Sequence, residues 1–331
     1  MTKIAVAGAS GKLALETIDR LAKSGKHEIL GLVRKDPSSL PVFTGVTWVQ
    51  TSYQDKTELT KILIGVQTVI SFIVAHTDPG AETAKRLIDS SIEAGVKRFA
   101  PSEWATSNKL AEVIKYTPWY ANKLEVKRYL EEVNKDRKVI EYTLFQPGAF
   151  MNFLAYPRQT AKHYRIETPA FFDFDKGRAF ILEGSENAEV TLTTIEDIAE
   201  VTARAVEYDG EWPTVGGISG QKVTVGEIIR LGEKIRGNNW LTNAIGKSFE
   251  VDRLKLEDLE AGIVKTNFIP LLNLPGMSRE ELENFTKVVA IGATVSVARE
   301  AWAVSDEWNQ LLPDFKPTGI EEYAKRVWES N

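Results

Sequence analysis

Apolar positions along the first 145 residues follow two alternating rhythms. Ile4-Ala-Val-Ala7 is a short apolar run closed by Gly8, and it predicts a buried strand. From Lys12 to Ser24 the residues Ala14, Ile18 and Leu21 recur at helical spacing, and Gly25 supplies a C-terminal stop. Strands are expected again at Glu28 to Val33, Val46 to Val49 and Gln67 to Ala75, the last reading as buried on both faces. A helix with Ala84, Leu87, Ile88, Ser91 and Ile92 on one side follows, capped by Gly95, and Val96 to Ala100 is a fifth strand. Thr117-Pro118 then opens a helix, with Thr as N-cap and Pro in the first turn. Val139 to Phe145 closes the series as a sixth strand. Such alternation predicts an α/β fold, a doubly wound parallel sheet with helices on both faces.

After Phe145 the rhythm loosens. Residues 146 to 190 hold Pro147-Gly148, Pro157 and Pro169 among many aromatics, a composition of loops and short strands. Two capping boxes, Thr194-Ile-Glu-Asp197 and Thr224-Val-Gly-Glu227, announce helices. Residues 237 to 280 read as irregular, and helical patterning returns near Ser278 to Trp302 and Ile320 to Ser330. The expected organisation is a dinucleotide-binding domain over 1–150 and a smaller substrate lobe over 151–331, with part of 190–235 packing back on the sheet. That lobe would cover the carboxyl ends of the strands, where open α/β sheets bind ligands.

Composition narrows the chemistry. The 331 residues contain no cysteine, which removes disulfides, thiolate nucleophiles, thiolate zinc sites and iron–sulfur clusters. The three histidines, His27, His76 and His163, include no pair at ligand spacing, so no metal site is expected. Lys and Arg number 41 against 46 Asp and Glu, a net charge of −5 with no long basic run, which disfavours nucleic acid as a partner. The first apolar run is too short for a secretion signal and no stretch approaches a membrane span, so a cytoplasmic protein is expected.

Gly8-Ala-Ser-Gly11-Lys-Leu-Ala14 stands between the first strand and the first helix, the context in which a glycine-rich turn binds a dinucleotide. Gly8 permits the tight turn, Gly11 lets a pyrophosphate approach the backbone, and small Ala14 allows close packing of helix on strand. Free N–H groups at the helix start favour an anion. A Rossmann-type sheet follows from this placement. The second strand ends Leu32-Val33-Arg34-Lys35, two cations where an NAD site places a carboxylate, so NADPH is the expected cofactor. Asp36, one residue further, is the competing signal.

On the helix after Pro118, the residues Trp119, Lys123, Val126, Leu130 and Val133 fall on one stripe, four apolar and one charged. Two readings stay open from pattern alone. Lys123 can snorkel, its stem packed and its ammonium in water. Or it faces a cleft, where desolvation lowers its pKa so that it can move a proton near neutral pH. The Tyr-x-x-x-Lys pair of short-chain dehydrogenases is missing, because no tyrosine of the chain has a lysine four residues later.

The Gly8–Ala14 turn, Val33-Arg34, Val96-Lys-Arg-Phe-Ala-Pro-Ser-Glu-Trp104, Tyr120-Ala-Asn-Lys123-Leu-Glu-Val-Lys-Arg128 and Gln146-Pro-Gly-Ala-Phe-Met-Asn152 together resemble one family. It is the NmrA-like and isoflavone reductase-like branch of the atypical short-chain dehydrogenases/reductases. The resemblance covers most of the first 160 residues and, more loosely, the stretch to about 235. It implies NADPH at the glycine turn, Arg34 near the 2′-phosphate, and Lys123 as the catalytic proton donor or acceptor. Cofactor contacts are then expected from Gly8, Ser10, Gly11, Lys12, Leu13, Arg34, Lys35, Phe72, Ile73, Val74, Lys123, Pro147, Gly148 and Phe150. It also implies hydride transfer to an activated C=C, benzylic or quinone-methide-like carbon.

Trp104, Phe150, Met151, Phe153, Tyr156, Phe171 and Phe172 cluster near the nicotinamide end and would suit a flat aromatic or polycyclic molecule. Asn152 and Glu103 are the polar candidates beside them. The substrate contacts expected are Trp104, Phe150, Met151, Asn152, Phe153 and Tyr156, with a small apolar molecule as partner and a homodimer left open. Two other functions compete with an NADPH-dependent reductase of a secondary-metabolite-like substrate. One is an NmrA-like redox-sensing regulator without catalysis, and the other a redox-neutral isomerisation.

Overall fold

The computed structural model describes residues 2–237, 249–274 and 276–329. Six strands, β1 (Thr2–Ala7), β2 (His27–Val33), β3 (Val46–Gln50), β4 (Thr68–Ser71), β5 (Arg98–Ala100) and β6 (Glu141–Tyr142), form a parallel sheet in the order β3-β2-β1-β4-β5-β6. The order reverses between β1 and β4, which places a crevice at their carboxyl ends.

Both faces of this sheet are buried, and the two-residue period of a strand sorts its side chains between them. In β1, Ile4 and Val6 enter one core while Ala5 and Ala7 enter the other. The first core receives Leu13, Ala14, Ile18 and Leu21 of helix α1 (Lys12–Ser24), with Ile195, Ile198 and Val201 of the helix Ile195–Glu207. Helices α2 (Lys56–Leu63) and α3 (Glu82–Glu93) cover the opposite face; after the short α4 (Leu110–Val113), α5 (Ala121–Val133) joins them with Val126 and Leu130. Each such Leu or Ile contributes about 1.5–3 kcal/mol by leaving water.

Four expectations need correction in detail. The fourth strand ends at Ser71 rather than Ala75: after Phe72 N–H donates to Ala7 the chain leaves the ladder for a 3₁₀ turn at Ala75–Thr77. The sixth strand divides at Thr143, because β6 pairs with β5 whereas β7 (Leu144–Gln146) pairs with Val215–Gly217 on its other side. Thr117 does not cap its helix; its hydroxyl donates back to the Val113 carbonyl, and a 3₁₀ turn at Pro118–Tyr120 leads into α5. Residues 237–280 hold a strand, Glu250–Leu254, and a helix, Leu256–Glu260; positions 238–248 and 275 of that stretch lie outside the described residues, as does Ser330 at the end of the last expected helix.

Beyond β7, the strands Phe172–Asp173, Arg178–Leu182 and Glu250–Leu254 form one small sheet, and Ala149–Phe150, Glu189–Thr193 and Gln221–Thr224 another. Thr224 and Glu227 make the reciprocal capping bonds. Thr194 accepts from Asp197 N–H, but the Asp197 carboxylate turns to Thr318 instead of completing its box. The helix Arg279–Ala298 starts from a full box at Ser278 and Glu281. Among the described residues no helix is long and apolar enough to cross a membrane.

Candidate active site

The glycine turn is shaped by what leaves no room for side chains. Gly8 has φ +68°, and a Cβ there would meet Ile73 N and the Phe72 carbonyl carbon at 2.9 Å. Its N–H donates to the Tyr53 hydroxyl at 2.9 Å, which in turn donates to the Leu32 carbonyl at 2.7 Å, tying the turn to the end of β2. Gly11 stands as N-cap of α1 with no side chain capping it and no acidic residue in the first turn. The first N–H groups of a 13-residue helix therefore lie beside a cleft with their partial positive charge uncompensated.

At the end of β2, Arg34 and Lys35 are exposed and make no ion pair among the described residues. The Arg34 guanidinium lies 5.7 Å from the centroid of the Tyr53 ring. Asp36 is already committed: its carboxylate accepts from Ser38 N–H at 2.9 Å and caps the 3₁₀ turn Pro37–Ser39. This donor set, backbone N–H groups followed by two free cations, fits a phosphorylated dinucleotide. Lys12 differs from Arg34, since its ammonium pairs with Glu167 and the Arg165 carbonyl.

Lys123 sits on the first turns of α5 and is only 8% exposed. The snorkelling alternative fails, because its ammonium donates to the carbonyls of Ser102 (3.0 Å) and Glu103 rather than reaching water. Those carbonyls belong to the turn after β5, followed by Trp104 at φ +36°. Burial brings the Lys123 pKa down to about 8, against the pull of the Glu103 carboxylate. Glu103 is itself raised by burial, opposed by the Lys123 charge, and its carboxylate accepts from Gln146 Nε2 at 3.4 Å. The ammonium also lies 5.0 Å from the centroid of the Tyr120 ring.

Beside this cluster opens an apolar cavity of about 330 Å³. Its walls include Trp104, Trp119, Tyr120, Phe150, Phe153 and Tyr164, then Phe171, Phe172 and Phe180, and Ala290, Ala293 and Val297 of the helix Arg279–Ala298. Trp104 is stacked between Phe72 (centroids 4.5 Å) and Phe145 (5.1 Å), and its indole N–H donates to the Ser71 carbonyl at 2.8 Å.

The NmrA-like family model matches residues 1–324. The chain belongs to that family. A curated relative, oxidoreductase BOA1 of Botryotinia fuckeliana, is 25% identical over 72% of this chain and 78% of its own length. Two solved structures are similar in fold. One is the Citrobacter sp. triphenylmethane reductase complexed with NADP(H), at 19% identity and TM-score 0.66, with 98% of this chain and 99% of that one covered. The other is an isoflavone reductase, at 20% identity and TM-score 0.64 with the same coverage.

Within this NmrA-like chain the expected site residues separate into three groups. Gly8, Ser10, Gly11, Lys12, Leu13, Arg34, Lys35, Phe72, Ile73 and Val74 gather at the carboxyl ends of β1, β2 and β4. Gly148, Phe150, Phe153 and Trp104 reach the cavity wall, and Pro147 stands just before it, its carbonyl accepting from Thr193. Met151, Asn152 and Tyr156 are not on that wall. Met151 is fully buried in a core with Phe172, Val190, Val223 and Tyr323. Asn152 spends its side chain on Ile195 N–H, Thr160 and Glu196, and Tyr156 packs against the sheet-side core. Lys123 stands behind the cavity rather than in its wall, beside a water-sized void of about 20 Å³. Tyr120 and the alanine face of the helix Arg279–Ala298 were not anticipated; the spacing of Tyr120 three residues before Lys123 was the available signal for the first.

Proposed function

We propose that this protein is an NADPH-dependent oxidoreductase that reduces an activated C=C or carbonyl-conjugated carbon of a small, flat aromatic molecule. In this reading residues 1–150 carry the dinucleotide and residues 151–331 supply most of the substrate cavity. Oxidoreductase character is supported by the curated relative's name, and the phosphorylated cofactor by the two free cations after β2. Bound NADPH supplies a hydride equivalent from its nicotinamide ring. Ser10, Lys12 and Leu13 hold the pyrophosphate by backbone N–H groups, those of Gly8, Ala9 and Gly11 being spent on Tyr53, Leu32 and Gly8 itself, and Arg34 with Lys35 hold the 2′-phosphate. Trp104, Phe150 and Phe153 exclude water and fix the plane of the substrate.

The observation that carries the reading is Lys123, an ammonium buried with no salt bridge among the described residues and seated beside the ring-lined cavity, behind its wall. Maintaining a buried cation is costly. A regulator that only senses a dinucleotide has no use for it, whereas a reductase needs a proton source whose pKa lies near working pH. We assign Lys123 the role of general acid in the reducing direction.

The test compares wild type with Lys123→Ala in two assays. Turnover of a conjugated aromatic ketone with NADPH should fall on the order of 10²–10⁴-fold, while NADPH affinity measured by tryptophan quenching stays close to wild type. Full activity in the variant removes Lys123 from the mechanism. Equal affinity of wild type for NAD(H) and NADP(H) removes the role given to Arg34 and Lys35.

A further inference from the structure

The cavity is lined by phenylalanine, tryptophan and aliphatic side chains, so its few polar groups decide what it accepts. Thr286 is already engaged, accepting from Leu272 N–H at 3.1 Å. Tyr164 stands on the loop side, edge-on to Phe150 at 5.7 Å. Tyr120 is different in place and surroundings. It closes the 3₁₀ turn Pro118–Tyr120 at the foot of α5 and lines the cavity. Its ring is held by Trp119 (centroids 5.7 Å) and Trp302 (6.4 Å), with the Lys123 ammonium 5.0 Å from its centre. Lys123 itself does not line the cavity, so Tyr120 is the polar side chain between that charge and a bound molecule.

We propose that the Tyr120 hydroxyl donates a hydrogen bond to an oxygen of the substrate, and so selects a flat aromatic ketone or enone over a hydrocarbon of the same shape. The proposal rests on the reductase reading above and names the group in this chain that touches the substrate oxygen. Two physical points support it. Burial pushes the Tyr120 phenol up to about 12, so it remains a neutral donor throughout the physiological range. The ammonium against its ring withdraws electron density and strengthens the O–H as a donor. The Tyr120 oxygen already accepts from the Trp119 indole, so a ligand without an oxygen leaves the O–H donor without an acceptor, and sites of that kind reject such analogues strongly.

The experiment needs no turnover. Binding of 2-acetylnaphthalene and of 2-isopropenylnaphthalene, in which a CH2 group replaces the carbonyl oxygen, is followed through quenching of Trp104, Trp119 and Trp302 in the cavity wall. Wild type should bind the ketone on the order of tenfold more tightly than the hydrocarbon. Tyr120→Phe, which keeps the ring and removes the hydroxyl, should abolish that preference and leave the hydrocarbon's affinity unchanged. Tyr164→Phe should keep it. Wild type without a preference, a preference that survives in Tyr120→Phe, or its loss in Tyr164→Phe alone would each overturn the assignment. A protein that keeps the Tyr120-dependent preference yet oxidises no NADPH would sink the reductase reading and leave this one standing.

Discussion

The glycine turn and the aromatic cavity are linked through Phe72, which stacks on Trp104 at 4.5 Å, yet they are built in opposite ways. The turn is made of backbone: Gly8 is defined by the close approach of Phe72 and Ile73, and Gly11 by the missing side-chain cap of α1. The cavity is made of side chains, and its walls come from segments as far apart as Trp104 and Trp302. A backbone site tolerates little, because a Cβ in the wrong place cannot rotate away. A side-chain site tolerates more, because each wall contributes only area. The strongest way to break the first is Gly8→Val. The new Cβ would lie 2.9 Å from Ile73 N, on a residue whose φ of +68° already disfavours a branched side chain. A loss of about 3 kcal/mol or more is expected, read as a fall in Tm together with loss of NADPH binding. A variant with wild-type Tm and affinity would mean that the turn is not under this constraint.

The matching attack on the cavity is Ala293→Phe. Ala293 faces the cavity from the helix Arg279–Ala298, so a phenyl ring added there has space to enter. Overpacking a filled core costs about 1–3 kcal/mol; here the change in Tm should be small. Affinity for a flat aromatic probe should fall on the order of tenfold or more, and NADPH affinity should not move. If both affinities fell together, the two regions would be one site rather than two neighbours.

The same contrast explains what could be read from the sequence. The helix Lys12–Ser24 and the glycine turn before it were legible as structure from a local pattern, although the atoms that force Gly8 into that turn, on Phe72 and Ile73, are distant in sequence. The lysine was legible as an anomaly on an apolar stripe, although its resolution as a buried ammonium needed the carbonyls of Ser102 and Glu103. The cavity was only half legible. Phe150 and Phe153 reach it, but their neighbours Met151 and Asn152 do not, because the 3₁₀ segment Met151–Ala155 turns successive side chains in different directions. Nothing local marks Ala290 and Ala293 as cavity walls, since small residues on a helix fit equally well against a neighbouring backbone. The division of the sixth strand was illegible for a similar reason: its second half pairs with Val215–Gly217, some seventy residues later.

The smallest expected effect tests how the two regions are joined electrically. The protonated form of Lys123 is the acid, so kcat/KM should be highest at lower pH and fall as pH rises through about 8. Besides burial, one charged group presses on that value. The Glu103 carboxylate favours the ammonium. Glu103→Gln keeps the shape of the side chain and its contact with Gln146 but removes the anion. The attraction holding the proton on Lys123 then disappears, the lysine becomes a stronger acid, and the alkaline limb of the pH profile should move to lower pH. A structural role for Glu103 alone would lower Tm and leave that limb where it was. An unmoved limb with an unchanged Tm has a specific meaning as well. Burial pushes the Glu103 carboxyl up, and such a result would show it protonated in the native protein, leaving the two backbone carbonyls as the groups that hold the Lys123 charge.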